Sequence, residues 1–224
     1  MATETSWWAR GGKRTFDLLA ASVVGLLLLP VAGVCALLVR TLDGAPVLFR
    51  QTRIGRYGRP FDILKFRTMK PGSGPLVTSV GDPRITPLGR RLRRTKLDEL
   101  PQMWNVLRGD MSLVGPRPEV PAYVAMEPHS YRAIADLRPG VTDCASLIFH
   151  DEESLLRRHA DAPDFYRRRL LPRKLALQRL YGRGLSFRAD LAILAATACL
   201  LLGFRHLMTV ALGSRLVAKA RAGF

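Results

Sequence analysis

DPRITPLGRRLRRTKLDELPQMWNVLRGDMSLVGPRPE, the run from Asp82 to Glu119, sets one adjacent carboxylate pair, Asp98 and Glu99, in a crowd of cations. Arg84, Arg90, Arg91, Arg93, Arg94, Lys96, Arg108 and Arg117 outnumber Asp82, Asp98, Glu99, Asp110 and Glu119, so the segment is an anion site with a few negative charges inside it. Its local order is that of two helices. Thr86 before Pro87 reads as an N-cap and a first-turn proline, and Leu88, Leu92 and Leu97 give that helix an apolar edge. Asp98 then reads as the N-cap of a second helix, with Pro101 in its first turn and Gly109 as its stop. A carboxylate there lies beside free N–H groups and the positive end of the dipole, where a phosphate is also held, so Asp98 is expected to be ionised and next to phosphate. On the local pattern alone, a plain cap at Asp98 with Glu99 complementing the dipole explains the pair equally well.

Working outward, MSLVGPRP at 111–118 holds Arg117 between Pro116 and Pro118 in a stiff, extended backbone. An arginine so constrained loses less entropy on clamping an anion, which favours a functional Arg117 over a solvated one. Upstream, residues 45–69 give two extended runs around a loop with Gly55 and Gly58, a hairpin. Alternation across Phe61, Ile63, Lys65 and Arg67 puts Lys65 and Arg67 on one face, where two cations could grip a diphosphate; a solvated edge strand with protective charges fits the same residues. Residues 70–79, rich in Gly, Ser and Pro, read as a mobile loop, either connector or flap. His150 beside Asp151 has no Ser or Cys constellation around it and reads as structural.

Residues 15–39 form an apolar run preceded by Trp7, Trp8, Arg10, Lys13 and Arg14, an aromatic and cationic flank of the membrane-interface kind. Asp17 lies near its start, Pro30 in its middle, and Arg40, Arg50 and Arg53 follow it. With both flanks positive, a helix broken at Pro30 that enters and leaves by one leaflet is preferred to a kinked spanning helix. A signal peptide is disfavoured because no small-x-small cleavage site is evident. At the other end, residues 151–183 are helical in pattern and heavily basic, residues 191–204 are apolar but short for a span, and the tail carries Arg215, Lys219 and Arg221. These segments read as interfacial amphipathic helices, the apolar one lying at the interface or packed on the re-entrant element.

The 224 residues carry a net charge of +17 with 48% hydrophobic residues. So basic and so apolar a chain points to phosphates as partners, whether of nucleic acid, an anionic leaflet or a phosphorylated substrate. Cys35, Cys144 and Cys199 are isolated, so neither a disulfide framework nor a zinc site is indicated, which fits a reducing, cytosolic face. The expected fold is α+β and mostly helical: a re-entrant helix and membrane-interface segment over 1–44, a small cytosolic catalytic domain with a β-hairpin over 45–150, and basic interfacial helices over 151–224.

The stretches FRQTRIGRYGRPFDILKFRTM, the 82–119 block and LRPGVTD together resemble the bacterial sugar transferase family, the monotopic phosphoglycosyl transferases that begin polyprenol-linked glycan assembly. The resemblance runs from Lys13 to about Asp190. It implies an enzyme at the cytoplasmic face of the bacterial inner membrane that moves a sugar-1-phosphate from a nucleotide diphosphate sugar, usually a UDP-sugar, to undecaprenyl phosphate, with Mg²⁺ as cofactor. Exopolysaccharide, O-antigen or capsule synthesis is the implied setting, and a homo-oligomer is compatible with it. Carried over position by position, the family's Asp-Glu dyad falls on Asp98, the nucleophile, and Glu99, a partner for metal or proton. Its arginines fall on Arg93 and Arg117. Two departures stand out: Leu29 precedes Pro30 where many members have Ser, and VTDCASLIFHDEE follows Pro139-Gly140 where larger relatives are rich in Gly and Asn.

A carboxylate attacks phosphorus only where anion repulsion is cancelled, which a metal and fixed cations would do, and covalent catalysis of that kind predicts ping-pong kinetics. A nucleic-acid-binding protein would explain the charge but leaves residues 15–39 without purpose and lacks a recognisable motif, so nucleic acid is not expected as a partner. A non-catalytic membrane scaffold explains the helices but not the carboxylate pair.

Overall fold

A computed structural model of the chain describes residues 7–72, 82–159 and 161–221, with backbone alone for 9, 10, 153, 215, 216, 218 and 219. Most of the loop expected over 70–79 lies outside the described residues, as do the side chains of Arg10, Arg215 and Lys219. The architecture is mostly helical, with a two-stranded antiparallel hairpin and a short parallel strand pair.

Two helices open the chain, α1 (Lys13–Leu27) and α2 (Leu29–Leu38). The path bends by 58° at their junction, where Leu28 leaves helical dihedrals. Pro30 falls in the first turn of α2, where its missing N–H breaks no helical bond. Among the described residues no single helix is long and apolar enough to cross a membrane, whereas this bent pair passes the test by length and composition. Leu19, Leu26, Leu27, Leu29, Val34 and Leu37 on it are exposed.

The polar residues of α1 are spent on docking. Arg14 donates to the carbonyls of Val106 (2.6 Å) and Leu107 (3.1 Å), and the Asp17 carboxylate accepts the amide of Leu113 at 3.1 Å. A buried carboxylate in an apolar run is costly unless hydrogen-bonded, and Asp17 obtains its partner from the strand beside the candidate site. Hydrogen bonds from Arg14 and Asp17 therefore tie α1 to the backbone on either side of Gly109, next to the candidate site.

The hairpin pairs β1 (Leu48–Ile54) with β2 (Pro60–Phe66), with Phe49 opposite Lys65. α3 (Pro87–Thr95) starts as expected, Thr86 accepting the amide of Gly89 at 2.8 Å. Gly89 lies so close to the hairpin's end that a Cβ would stand 2.1 Å from the Thr68 carbonyl oxygen, so only glycine allows α3 this approach. α4 (Gln102–Arg108) stops at Gly109, whose φ of 93° lets the chain reverse. After it, β3 (Ser112–Val114) runs parallel to β4 (Gly140–Thr142), with α5 (Pro121–Met126) and α6 (Pro128–Arg132) between them.

The basic stretch after Asp151 is three helices rather than one: α8 (Glu152–Arg157), α9 (Ala162–Phe165) and, beyond a wider turn, α10 (Leu171–Arg183); α7 (Cys144–Ile148) precedes them. α11 (Phe187–Leu201) packs on α7, β3 and β4 and pairs with α12 (Arg205–Leu212), and α13 (Ser214–Arg221) ends the described chain. Residues 191–204, expected at the interface or packed on the re-entrant element, follow directly on a tie to the first helices at Asp190. Asp190 accepts hydrogen bonds from Trp8 (3.1 Å), Lys13 (2.6 Å) and Tyr181 (2.6 Å), beside a cluster of Trp8, Phe16 and Phe187 rings. One core takes residues from all three expected segments, from Ala21 through Val106 and Phe149 to Leu175 and Ile193.

Candidate active site

The site forms where the end of β2, the turn after α3 and the Pro116–Pro118 segment meet. α3 ends at Lys96, held in the left-handed region (φ 57°). That reversal places Leu97, Asp98 and Glu99 in one tight 3₁₀ turn, with Leu97 and Leu100 packed against Phe66 and Leu92. Asp98 is therefore not the N-cap of α4, which corrects the expectation from the local pattern. The amides a cap at 98 would reach are not open to it: Leu100 N–H bonds the Leu97 carbonyl (3.3 Å), and Pro101 has no N–H.

Freed from capping, Asp98 is 5% exposed, and its Oδ1 has no hydrogen-bond partner among the described residues. Burial raises its pKa, Glu99 raises it further, and Lys65, Lys96 and Arg93 pull it back. Asp98 therefore holds its proton more tightly than an ordinary aspartate, because desolvation outweighs the surrounding cations.

Glu99 stands opposite in character. Its Oε1 accepts Lys65 Nζ at 2.7 Å and Arg117 Nη2 at 3.3 Å. Burial opposes its ionisation, but Lys65 and then Arg117 outweigh it and hold Glu99 well below the usual carboxylate range. Glu99 in turn raises the pKa of Arg117, while burial holds that of Lys65 below the ordinary lysine value. The neighbouring carboxylates thus have affinities pushed apart: Glu99 holds two cations, while among the described residues Asp98 makes no ion pair and its Oδ1 no hydrogen bond.

The structure thus brings Lys65, Asp98, Glu99 and Arg117 together, with Arg93 near enough to act on Asp98 electrostatically. It does not bring Arg67. β2 ends at Phe66, so the alternation stops one residue short. Arg67 is 6% exposed and donates to the carbonyls of Asp43 (2.5 Å), Gly44 (2.8 Å) and Ala45 (2.6 Å), tying the hairpin to the end of the first helical segment.

Other contributors went unread in the sequence. Asn105, fully buried, accepts the amide of Leu64 (3.0 Å) and donates to the Asp62 carbonyl (2.8 Å), pinning α4 to β2 so that Lys65 meets Glu99. Glu119, beyond Arg117, accepts from Tyr166 at 2.8 Å and lies 3.7 Å from Arg53 and 3.8 Å from Lys174. Asp143 caps α7 through the amides of Ala145 and Ser146. The available signal for Asn105 was a polar residue on the apolar face of a short helix.

Among the described residues no group of three or more His, Cys, Asp or Glu side chains gathers as a metal cage. Mg²⁺ is commonly held by one or two carboxylates plus substrate phosphates rather than by such a cage. The donor set fits: the two cations share Glu99 Oε1 and leave Oε2 outside these pairs, and Asp98 Oδ1 is without a partner.

Compared with known proteins, residues 8–203 match the family model described as bacterial sugar transferase. The chain belongs to that family. This bacterial sugar transferase is 46% identical over 141 residues to UDP-glucose:undecaprenyl-phosphate glucose-1-phosphate transferase of Caulobacter vibrioides, covering 60% of this chain and 53% of that one. It is 40% identical over 144 residues to UDP-N-acetylgalactosamine-undecaprenyl-phosphate N-acetylgalactosaminephosphotransferase of Aeromonas hydrophila, covering 61% and 34%. Against the Klebsiella pneumoniae UDP-glucose:undecaprenyl-phosphate glucose-1-phosphate transferase it is 33% identical over 196 residues, covering 83% of this chain and 39% of the relative. The chain spans about half the length of the first relative and less of the other two.

Proposed function

We propose that this chain is a phosphoglycosyl transferase that moves a sugar-1-phosphate from a nucleotide diphosphate sugar, a UDP-sugar, to a polyprenyl phosphate, undecaprenyl phosphate, as the first membrane step of glycan assembly. The observation that carries the reading is Asp98: a buried carboxylate with a partnerless oxygen, beside a Glu99 that pins Lys65 and Arg117, in a family whose relatives are named for this transfer.

An Asp98 oxygen attacks the sugar-bearing phosphorus. The bond from that phosphorus to the bridging oxygen breaks, and nucleoside monophosphate leaves with the electron pair. A phosphate oxygen of the prenol phosphate then attacks the same phosphorus, the bond to Asp98 breaks, and the carboxylate is regenerated as the prenyl diphosphosugar departs. Burial makes Asp98 a poorly stabilised anion, which favours bond formation to phosphorus over persistence as a free carboxylate. Lys65 and Arg117, fixed by Glu99, offset the donor's charge from preorganised positions. Asp98 and Glu99 are the residues that would hold Mg²⁺, which would supply charge neutralisation at the departing phosphate.

The same reading places the enzyme at the cytoplasmic face of the inner membrane. Supporting it are the exposed leucines of the bent α1–α2 pair, the exposed Leu201, Leu202, Phe204 and Leu207 around the α11–α12 junction, and the cations Arg40 and Arg50 after the bent pair. Entry and exit by one leaflet would keep the site at headgroup level, where a soluble donor and a lipid phosphate meet.

The test incubates purified protein with Mg²⁺, undecaprenyl phosphate and a panel of UDP-sugars and follows UMP release. Release by the wild type that vanishes in Asp98→Asn, with a phosphosugar trapped on Asp98 when acceptor is omitted, supports the mechanism. Equal release by Asp98→Asn, or none by the wild type with any donor, defeats it.

A further inference from the structure

Gln102 is 2% exposed, and its carboxamide Nε2 is a buried donor with no hydrogen-bond partner among the described residues. Four residues before it, Asp98 Oδ1 is a buried acceptor in the same condition. Leu100 and Pro101 keep right-handed helical dihedrals, so the 3₁₀ turn runs on into α4 without a break. Positions 98 and 102 therefore stand one turn apart on one face, with Cβ atoms about 5–6 Å apart.

An orphaned donor and an orphaned acceptor on adjoining turns, not bonded to each other, are an unusual expense. Leaving a buried polar group without a partner is destabilising. Asn105, the next buried amide on α4, has partners on both its oxygen and its nitrogen. The helix can satisfy a buried amide, and at Gln102 it does not.

We propose that Gln102 is a further catalytic residue of this site, its Nε2–H donating to a non-bridging oxygen of the phosphoryl group that Asp98 attacks. A phosphoryl group meets both needs at once: its phosphorus faces the Asp98 oxygen, and one of its oxygens takes the amide proton. Lys65 and Arg117 are both held by Glu99 Oε1, whereas no described residue engages Gln102 Nε2, which leaves it to serve a further oxygen of the group. Being neutral, Gln102 adds stabilisation of the transferring group without lowering the nucleophilicity of Asp98 as another cation would. This inference rests on the transfer reaction proposed above.

The test compares wild type, Asp98→Asn and Gln102→Met on the UDP-sugar that supports most UMP release. Methionine keeps the length of glutamine and removes the buried donor. The expected result is a kcat about 10²-fold lower for Gln102→Met, the scale of losing one transition-state hydrogen-bond donor, with the donor KM changed less than about threefold and the thermal midpoint unchanged or higher. A kcat within about threefold of wild type overturns the assignment, as does a lowered midpoint whose unfolded fraction at the assay temperature accounts for the lost rate. If the wild type releases no UMP, or Asp98→Asn matches it, the transfer reaction itself has failed; an active wild type, a dead Asp98→Asn and a fully active Gln102→Met refute Gln102 alone.

Discussion

Replacing Asp98 by Asn should make the protein more stable while abolishing its chemistry. The carboxylate is 5% exposed, and one of its oxygens lacks any hydrogen bond. A buried, unsatisfied charged group costs at least about 2 kcal/mol, which the neutral isostere removes. For a chain of this length that is about 4–8 °C in thermal midpoint. Glu99→Gln should do the reverse, because it leaves Lys65 and Arg117 without their common partner. Breaking such a pair costs about 3 kcal/mol, the low end for buried pairs since the Arg117 side chain is 31% exposed, or about 6–12 °C. The assay is thermal unfolding in detergent with EDTA, so that no metal compensates either carboxylate. The pH dependence supplies an internal control. Asp98 has its pKa raised in the folded state, so its destabilising contribution is absent below the unfolded value of 3.8 and grows as pH rises through the folded value; the gap between Asp98→Asn and wild type should therefore close in acid. Glu99 has its pKa depressed, so its stabilisation is present above 4.5 and lost only as pH falls through its low folded value. An Asp98→Asn midpoint at or below wild type near neutrality, or a gap that does not change on acidification, would refute the reasoning.

Three further outcomes follow from the same contacts. Arg117→Lys keeps the charge but loses the guanidinium fork that Glu99 orients, and should lower kcat/KM about 10²-fold in the UMP-release assay with little change in midpoint. Arg67→Met removes donors to three carbonyls and should cost about 3 kcal/mol in unfolding measurements while leaving the donor KM of the remaining folded enzyme unchanged. Asp190→Asn weakens the bonds to Trp8, Lys13 and Tyr181 and should cost about 3 kcal/mol, with faster hydrogen exchange in α1 and α11 as its local signature.

Local rules carried the reading of the sequence a long way. Thr86-Pro87 starts a helix because the Thr hydroxyl meets the third amide and proline lacks the bond it would otherwise break. Gly109 ends one because it tolerates positive φ, the hairpin over 48–66 follows from alternation and glycine, and the bend falls beside Pro30. Lys65, Glu99 and Arg117 were nominated from charge and backbone stiffness, and these side chains do meet.

The misreadings share a cause: each residue's role depended on what lay beyond its own element. Asp98 has the sequence of an N-cap, but Lys96 turns left-handed and the preceding chain supplies the carbonyls first. Arg67 continues the period of Lys65, but the strand ends and the carbonyls of Asp43, Gly44 and Ala45 take its guanidinium. Asp17, noted in the sequence only as lying near the start of an apolar run, and Asp190 are each a buried tie to elements 96 and 182 residues away in the chain. Periodicity, capping chemistry and charge were determined by the sequence itself, because they arise between neighbours a few residues apart. Which carboxylate is neutralised and which is left bare was decided only by the tertiary structure, because desolvation depends on what the whole chain packs around a group rather than on the residues beside it.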